Sequence, residues 1–141
     1  MTFSHEDLQR VRDEIRQADE ALVRDLVELG AGAGAGADWE RRAAARPSFK
    51  FRVDLGVKVA ESKFRQSPER YRPLAQARDV KRLNQAITDA DMESAVLDRV
   101  WRQTLECGGD AVLADRLAVL YRDRVIPETK TVQIRRMIEL A

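Results

Sequence analysis

Three pairs of side chains in this sequence are spaced so that helical geometry would set them to work together. Arg52 and Lys63 lie eleven residues apart, three turns of an α-helix, so on one straight helix they point the same way. Asp89 and Glu93 are one turn apart, as are Thr129 and Gln133, and residues at that spacing are neighbours on a helix surface. Arg12 stands off the apolar stripe of the opening helical stretch. Two guanidinium groups and an ammonium are suited to binding carboxylates, the guanidinium forks bidentately. A carboxylate and an amide add an acceptor and a donor. Taken singly, each residue reads as a solvated face in a chain that is 35% charged. Asp89 and Glu93 are the partial exception, because like charges one turn apart repel.

The elements that must position these groups are helical. Leu8, Val11, Ile15, Ala18, Leu22, Leu26 and Leu29 recur at spacings of three and four, which predicts a long amphipathic helix ending at Gly30 with Ser4 as its N-cap. A short helical piece is expected within DWERRAAAR, before Pro47. One helix is expected over 48–66, with Phe49, Val53, Gly56, Val57, Ala60 and Phe64 on a side. Ser67 and Pro68 mark the next start. Thr88 or Asp89 caps a helix carrying Met92, Val96, Val100 and Leu105, which stops at Gly108-Gly109. A last long helix runs from Asp110, kinked or restarted at Pro127. No stretch alternates as a strand would. The expected fold is all-α: one helical-bundle domain over residues 1–141.

Composition narrows the function. The net charge is +1, which gives no general attraction to nucleic acid or to an anionic membrane. No apolar run has the length of a membrane span, and no secretory segment opens the chain. Cys107 is the single cysteine and His5 the single histidine, so an internal disulfide, a histidine-based metal site and a histidine triad are excluded. The expected location is the cytoplasm. LGAGAGAGADWE, residues 29–40, fits only a weak G-x-G-x-x-A pattern, follows a helix rather than a strand, and lacks the Gly-Lys-Ser/Thr of a P-loop. Residues 30–38 read as a connector.

Four segments resemble one known family. RVDLGVKVAESKF (52–64) is similar to the Arg-x-x-x-Gly-x-x-Val-Ala-Glu-x-Lys-Phe segment of the eukaryotic-type, all-helical chorismate mutases. LYRDRVIPETKTVQ (120–133) resembles their Tyr-x-x-x-Val-Ile-Pro-x-Thr-Lys-x-Val-Glu segment. LQRVRDEI (8–15) resembles their first helix, and ITDADMESAVLDRV (87–100) the Ile-Thr-Asn-x-x-Val-Glu stretch between. The segments follow the family's order across nearly the whole chain. Asp89 stands where that type often has Asn, and Gln133 where it has Glu.

The resemblance implies the pericyclic rearrangement of chorismate to prephenate, with no cofactor, no metal and no covalent intermediate. It also implies a homodimer. Arg12 and Arg52 fall on the arginines that hold the substrate's two carboxylates. Lys63 falls on the lysine at a carboxylate and at the breaking ether oxygen, and Gln133 on the other group at that oxygen. Glu93 matches the carboxylate that takes the substrate hydroxyl, and Asp89 and Thr129 match pocket-lining positions. The chemistry agrees. Holding a small dianion in its reactive shape removes entropy before the chemical step. Donors already aimed at the ether oxygen, where negative charge grows, are worth about 3–4 kcal/mol each by comparison with oxyanion holes. On this reading Arg52→Ala removes activity and leaves the melting temperature intact. The family's effector-binding helices have no counterpart here, so hyperbolic kinetics are expected. An isochorismate pyruvate-lyase, or a helical interaction module without catalysis, remains the alternative.

One geometric condition follows. Forty residues separate Arg12 from Arg52, about 60 Å along a straight helix. The chain must turn back after the first helix, or Arg12 must serve a partner's site.

Overall fold

The computed structural model describes residues 5–30 and 37–141. All regular structure among them is helical: α1 (His5–Leu29), α2 (Ala37–Ala44), α3 (Pro47–Asp54), α4 (Gly56–Gln66), α5 (Pro68–Gln76), α6 (Val80–Ile87), α7 (Ala90–Glu106), α8 (Ala111–Leu120), a π-helical turn (Tyr121–Val125) and α9 (Ile126–Leu140). The all-α expectation holds. The expected cap Ser4 and most of the connector, residues 31–36, lie outside the described residues.

Helix α1 ends where the glycine requires. Gly30 adopts φ 84°, a left-handed conformation that a side chain would disfavour, and its N–H closes the last turn on Leu26 O at 3.1 Å. The chain then turns back. Lys58 of α4 pairs with Glu14 of α1 at 3.1 Å, so α4 lies beside the turn of α1 that carries Arg12. Asp side chains cap three later helices: Asp79 accepts from Arg82 N, Asp89 from Met92 N and Asp110 from Leu113 N. Asp89, not Thr88, is therefore the cap of α7, while Thr88 donates back to Asn84 O. Ser67 precedes α5, but its side chain makes no capping bond.

One expected helix is divided, and the last restarts at its proline as expected. The stretch 48–66 breaks at Leu55, whose ψ of −16° departs from the helical value, although its N–H still bonds Phe51 O. The final helix is interrupted before Pro127, which has no N–H to give. There the chain widens into a π turn, with Ile126 N bonding Tyr121 O, and α9 starts with the proline in its first turn. On α7 the expected apolar face is also shifted. Met92 and Leu105 are exposed, and the buried positions are Val96, Val100 and Thr104.

The core has two parts. Leu22, Val23, Leu26, Trp39, Phe49, Val100, Leu117 and Tyr121 belong to the larger. Ala60, Phe64, Tyr71, Leu83, Ile87, Ile134 and Met137 belong to the smaller. Three stretches of chain cross from one to the other: Val53 to Ala60, Ile87 to Val96, and Ile126 to Ile134. Asp89 and Glu93 lie within the second crossing, Thr129 and Gln133 within the third. The polar residues of interest thus sit at the seam between two apolar clusters.

Helices α4 and α9 meet closely at that seam. A Cβ on Gly56 would stand 2.7 Å from Thr129 O and 3.2 Å from Val132 Cγ1. Gly56→Ala must therefore push the two helices apart, at a cost of about 1–3 kcal/mol. The expected result is a melting temperature several degrees lower, with loss of activity because Lys63 and Gln133 ride on these helices. An alanine variant melting within about 1 °C of the parent would show that the contact relaxes without cost.

Candidate active site

The VAESK segment lies in α4 where that helix packs on α9. Ala60 and Phe64 are buried in the smaller core, and Glu61 ties α4 to α9 through Arg136, Oε1 to Nε 3.0 Å. This clamp directs Lys63 toward α9. Its ammonium donates to Gln133 Oε1 and to Ile87 O, each at 3.3 Å. An ammonium has no acceptor, so the carbonyl end of the Gln133 amide must face Lys63. The Nε2 end is left to donate, and no bond occupies it among the described residues. Gln133 is buried.

Lys63 lines a cavity of about 440 Å³ with Arg70, Tyr71, Ile87, Thr88 and Asp89 among its walls. Its pKa is lowered from the ordinary lysine value. Burial is the largest cause, the guanidinium of Arg70 and the ammonium of Lys130 add to it, and Asp89 and Glu93 oppose it. Arg70 itself donates to Ala86 O at 3.1 Å and lies 5.4 Å over the Tyr71 ring. The structure thus brings Lys63, Gln133, Asp89 and Glu93 into one electrostatic neighbourhood. Thr129 is buried one turn from Gln133 and donates to Val125 O at 2.6 Å, which leaves its oxygen free to accept.

Arg52 stands in a second group. It is 5% exposed, and its Nε donates to Asp19 Oδ1 at 2.6 Å. Asp19 is fully buried. It also accepts from the Tyr121 hydroxyl at 2.7 Å and from Arg99 Nη2. Burial, then the neighbouring Asp19, raises the Tyr121 pKa well above its ordinary value, so the phenol remains a donor. Arg52 Nη1 is buried with no hydrogen-bond partner among the described residues. A buried orphan donor costs free energy, and an arriving anion would satisfy it. The expectation that Arg52 could be removed without harm to the fold is therefore corrected: its charge is half of a buried ion pair. The three-turn relation between Arg52 and Lys63 also assumed an unbroken helix, and the break at Leu55 intervenes. Arg12 is exposed on α1, and no described contact joins it to either group.

Asp19, Arg99, Tyr121, Arg70 and Lys130 were not singled out from the sequence. Tyr121 and Lys130 stand at the Tyr and Lys of the 120–133 motif without a role assigned to them, and Asp19 carried a signal of its own. It lies one turn from Ile15 and one from Val23, a core-facing register for a carboxylate, and such a group needs partners. The others depend on residues far along the chain.

No family model matches the chain. Curated proteins do. It is 38% identical over 96 residues to the chorismate mutase of Schizosaccharomyces pombe, covering 62% of this chain and 38% of that protein. It is 35% identical over 99 residues to the chorismate mutase of Trichoderma parareesei, covering 62% and 37%. It is 31% identical over 130 residues to the chloroplastic chorismate mutase 1 of Zea mays, covering 82% and 41%. The chain thus spans about two fifths of the length of the curated relatives it matches. With the motif residues of α4, α7 and α9 drawn together at one seam, and relatives of the same name in fungi and plants, the chain belongs to the chorismate mutase family.

Proposed function

We propose that this chain rearranges chorismate to prephenate. The observation that carries the reading is the Lys63–Gln133 pair, which leaves an ammonium and an amide N–H as donors at a buried seam without a histidine or a thiol. The substrate is a dianion. Arg52, through Nη1, and Arg12 take its carboxylates, and Lys63 shares one of them. Glu93 accepts from its hydroxyl, Asp89 lines the cavity beside Lys63, and Thr129 stands one turn of α9 from Gln133. As the ether C–O bond breaks and the new C–C bond forms, electrons move within the substrate and no external proton is needed. Negative charge gathers on the ether oxygen, where Lys63 and Gln133 Nε2 stabilise it in a site already oriented. The fold-back of α4 onto α1 supports Arg12 acting in its own chain. The half-buried Leu8, Val11 and Ile15 on α1 support a homodimer that covers them. Among the described residues no helix is long and apolar enough to cross a membrane, which suits an enzyme of the cytoplasm.

The test is incubation of the purified chain with chorismate and, in parallel, with isochorismate, followed by product identification. Prephenate from chorismate is the expected result. Pyruvate released from isochorismate, with chorismate untouched, would assign the lyase reaction instead, and no turnover of either would leave a non-catalytic module.

Lys63 acts only while protonated. With its pKa lowered mainly by burial, kcat/KM should decline on the alkaline side, beginning below the free-lysine value of about 10.4. Lys63→Met should be slow at every pH. A parent profile flat through that range would mean that Lys63 is not the titrating donor.

A further inference from the structure

Lys130 belongs to the VIPETK segment, yet the roles assigned above leave it unused. It follows Thr129 and precedes Gln133 by less than one turn of α9. Its ammonium lies 2.7 Å from Glu93 Oε2, both side chains being largely covered, so the pair joins α9 to the first turn of α7. The charge of Lys130 reaches Lys63, whose pKa it lowers while Glu93 raises it. Glu93 Oε2 is buried and receives no aligned hydrogen bond among the described residues. Lys130 thus covers Oε2, and Oε1, which accepts no hydrogen bond among the described residues, is the oxygen left for a hydroxyl.

That combination answers a difficulty in the chemistry. A carboxylate beside a dianionic substrate repels it, and the repulsion is strong where water is scarce. A cation on Oε2 offsets the charge of Glu93 and fixes where its oxygens point, while Oε1 is left to accept from a hydroxyl. We propose that Lys130 is a positioning residue for the chorismate reaction, acting through Glu93: it neutralises and orients the carboxylate that accepts the substrate hydroxyl. The inference rests on the mutase reading above.

A double-mutant cycle tests it. Steady-state kinetics on chorismate are measured for the parent, Lys130→Met, Glu93→Gln, the double variant and Lys130→Arg, with circular dichroism melting of each. Each single neutralisation should lower kcat/KM by about 10- to 100-fold, as for the loss of a charged hydrogen bond. Both should act mainly by raising KM, because the hydroxyl is held alike before and during the reaction. In the Glu93→Gln background, Lys130→Met should cost no more than about threefold, since residues acting as a unit are not additive. Lys130→Arg should recover to within about tenfold of the parent, as the ion pair is kept. Additive losses would overturn the proposal and give Lys130 a contact of its own with the substrate. A lowered melting temperature with parental kcat/KM would also overturn it and leave a structural ion pair. Both outcomes require an active parent. A parent that leaves chorismate unchanged refutes the mutase reading itself, and the proposal falls with it.

Discussion

Arg52→Ala will lower kcat/KM for chorismate by about three orders of magnitude or more, on the scale of losing a carboxylate clamp and its orienting effect, and it will lower the melting temperature as well. The two losses have different origins. On the proposed mutase reading Nη1, the buried nitrogen without a partner, is the atom left for a substrate carboxylate. Nε, bonded to Asp19 at 2.6 Å, stabilises the fold. Removing one member of a buried ion pair costs about 3–5 kcal/mol, and Arg99 and Tyr121 remain on Asp19 to hold the loss toward the lower end. Arg52→Lys separates the effects. An ammonium can still answer Asp19, but it has no second arm. That variant should melt near the parent and lose about a hundredfold in kcat/KM. Asp19→Asn should reduce both quantities, since it leaves two guanidinium groups at a buried site with no anion and releases Arg52 from its position. Kinetics and thermal melts of the three variants decide the matter. An alanine variant within about tenfold of the parent would remove Arg52 from the site.

Gln133→Glu will make the enzyme dependent on acid. The amide at this position turns Oε1 to Lys63 at 3.3 Å and keeps Nε2–H to donate at any pH. A carboxylate donates only when protonated. Its unperturbed pKa is about 4.3, and the Lys63 ammonium beside it favours the charged form. The Glu variant should therefore work nearly as well as the parent at low pH and lose activity as pH rises through the new acid's pKa. The parent should hold its rate across the same range, until Lys63 titrates on the alkaline side. Gln133→Ala should be slow throughout, with no donor in either direction. The measurement is kcat/KM against pH for all three. A Glu variant that follows the parent through neutral pH would take Gln133 away from the ether oxygen.

The helices were legible residue by residue. Leu22 and Leu26 recur at helical spacing and are buried, Gly30 stops α1, and α7 and α8 begin where expected, with Asp89 settling the choice between it and Thr88. These features are local. Periodicity, caps and left-handed glycines act over a turn or two, so a sequence states them directly. Arg52, Lys63, Glu93 and Gln133 were legible in another way, through motifs whose resemblance marked positions that spacing alone would have left on a charged surface.

Other features required the folded chain. The break at Leu55 arises in a stretch whose residue pattern is helical on both sides, where tertiary packing overrides propensity, whereas the restart at Pro127 was legible from the proline itself. Asp19 acquires its meaning from Arg52, Arg99 and Tyr121, which lie 33, 80 and 102 residues away along the chain. Lys130 acquires its meaning from Glu93, on another helix. The sequence by itself determined the helical elements, where most of them begin and end, and the family to which they belong. The tertiary structure decided which charges are buried, which are paired, and which donors are left over, because burial and pairing are properties of neighbours in space, and the electrostatic cost of a charge is set by those neighbours rather than by its place in the chain.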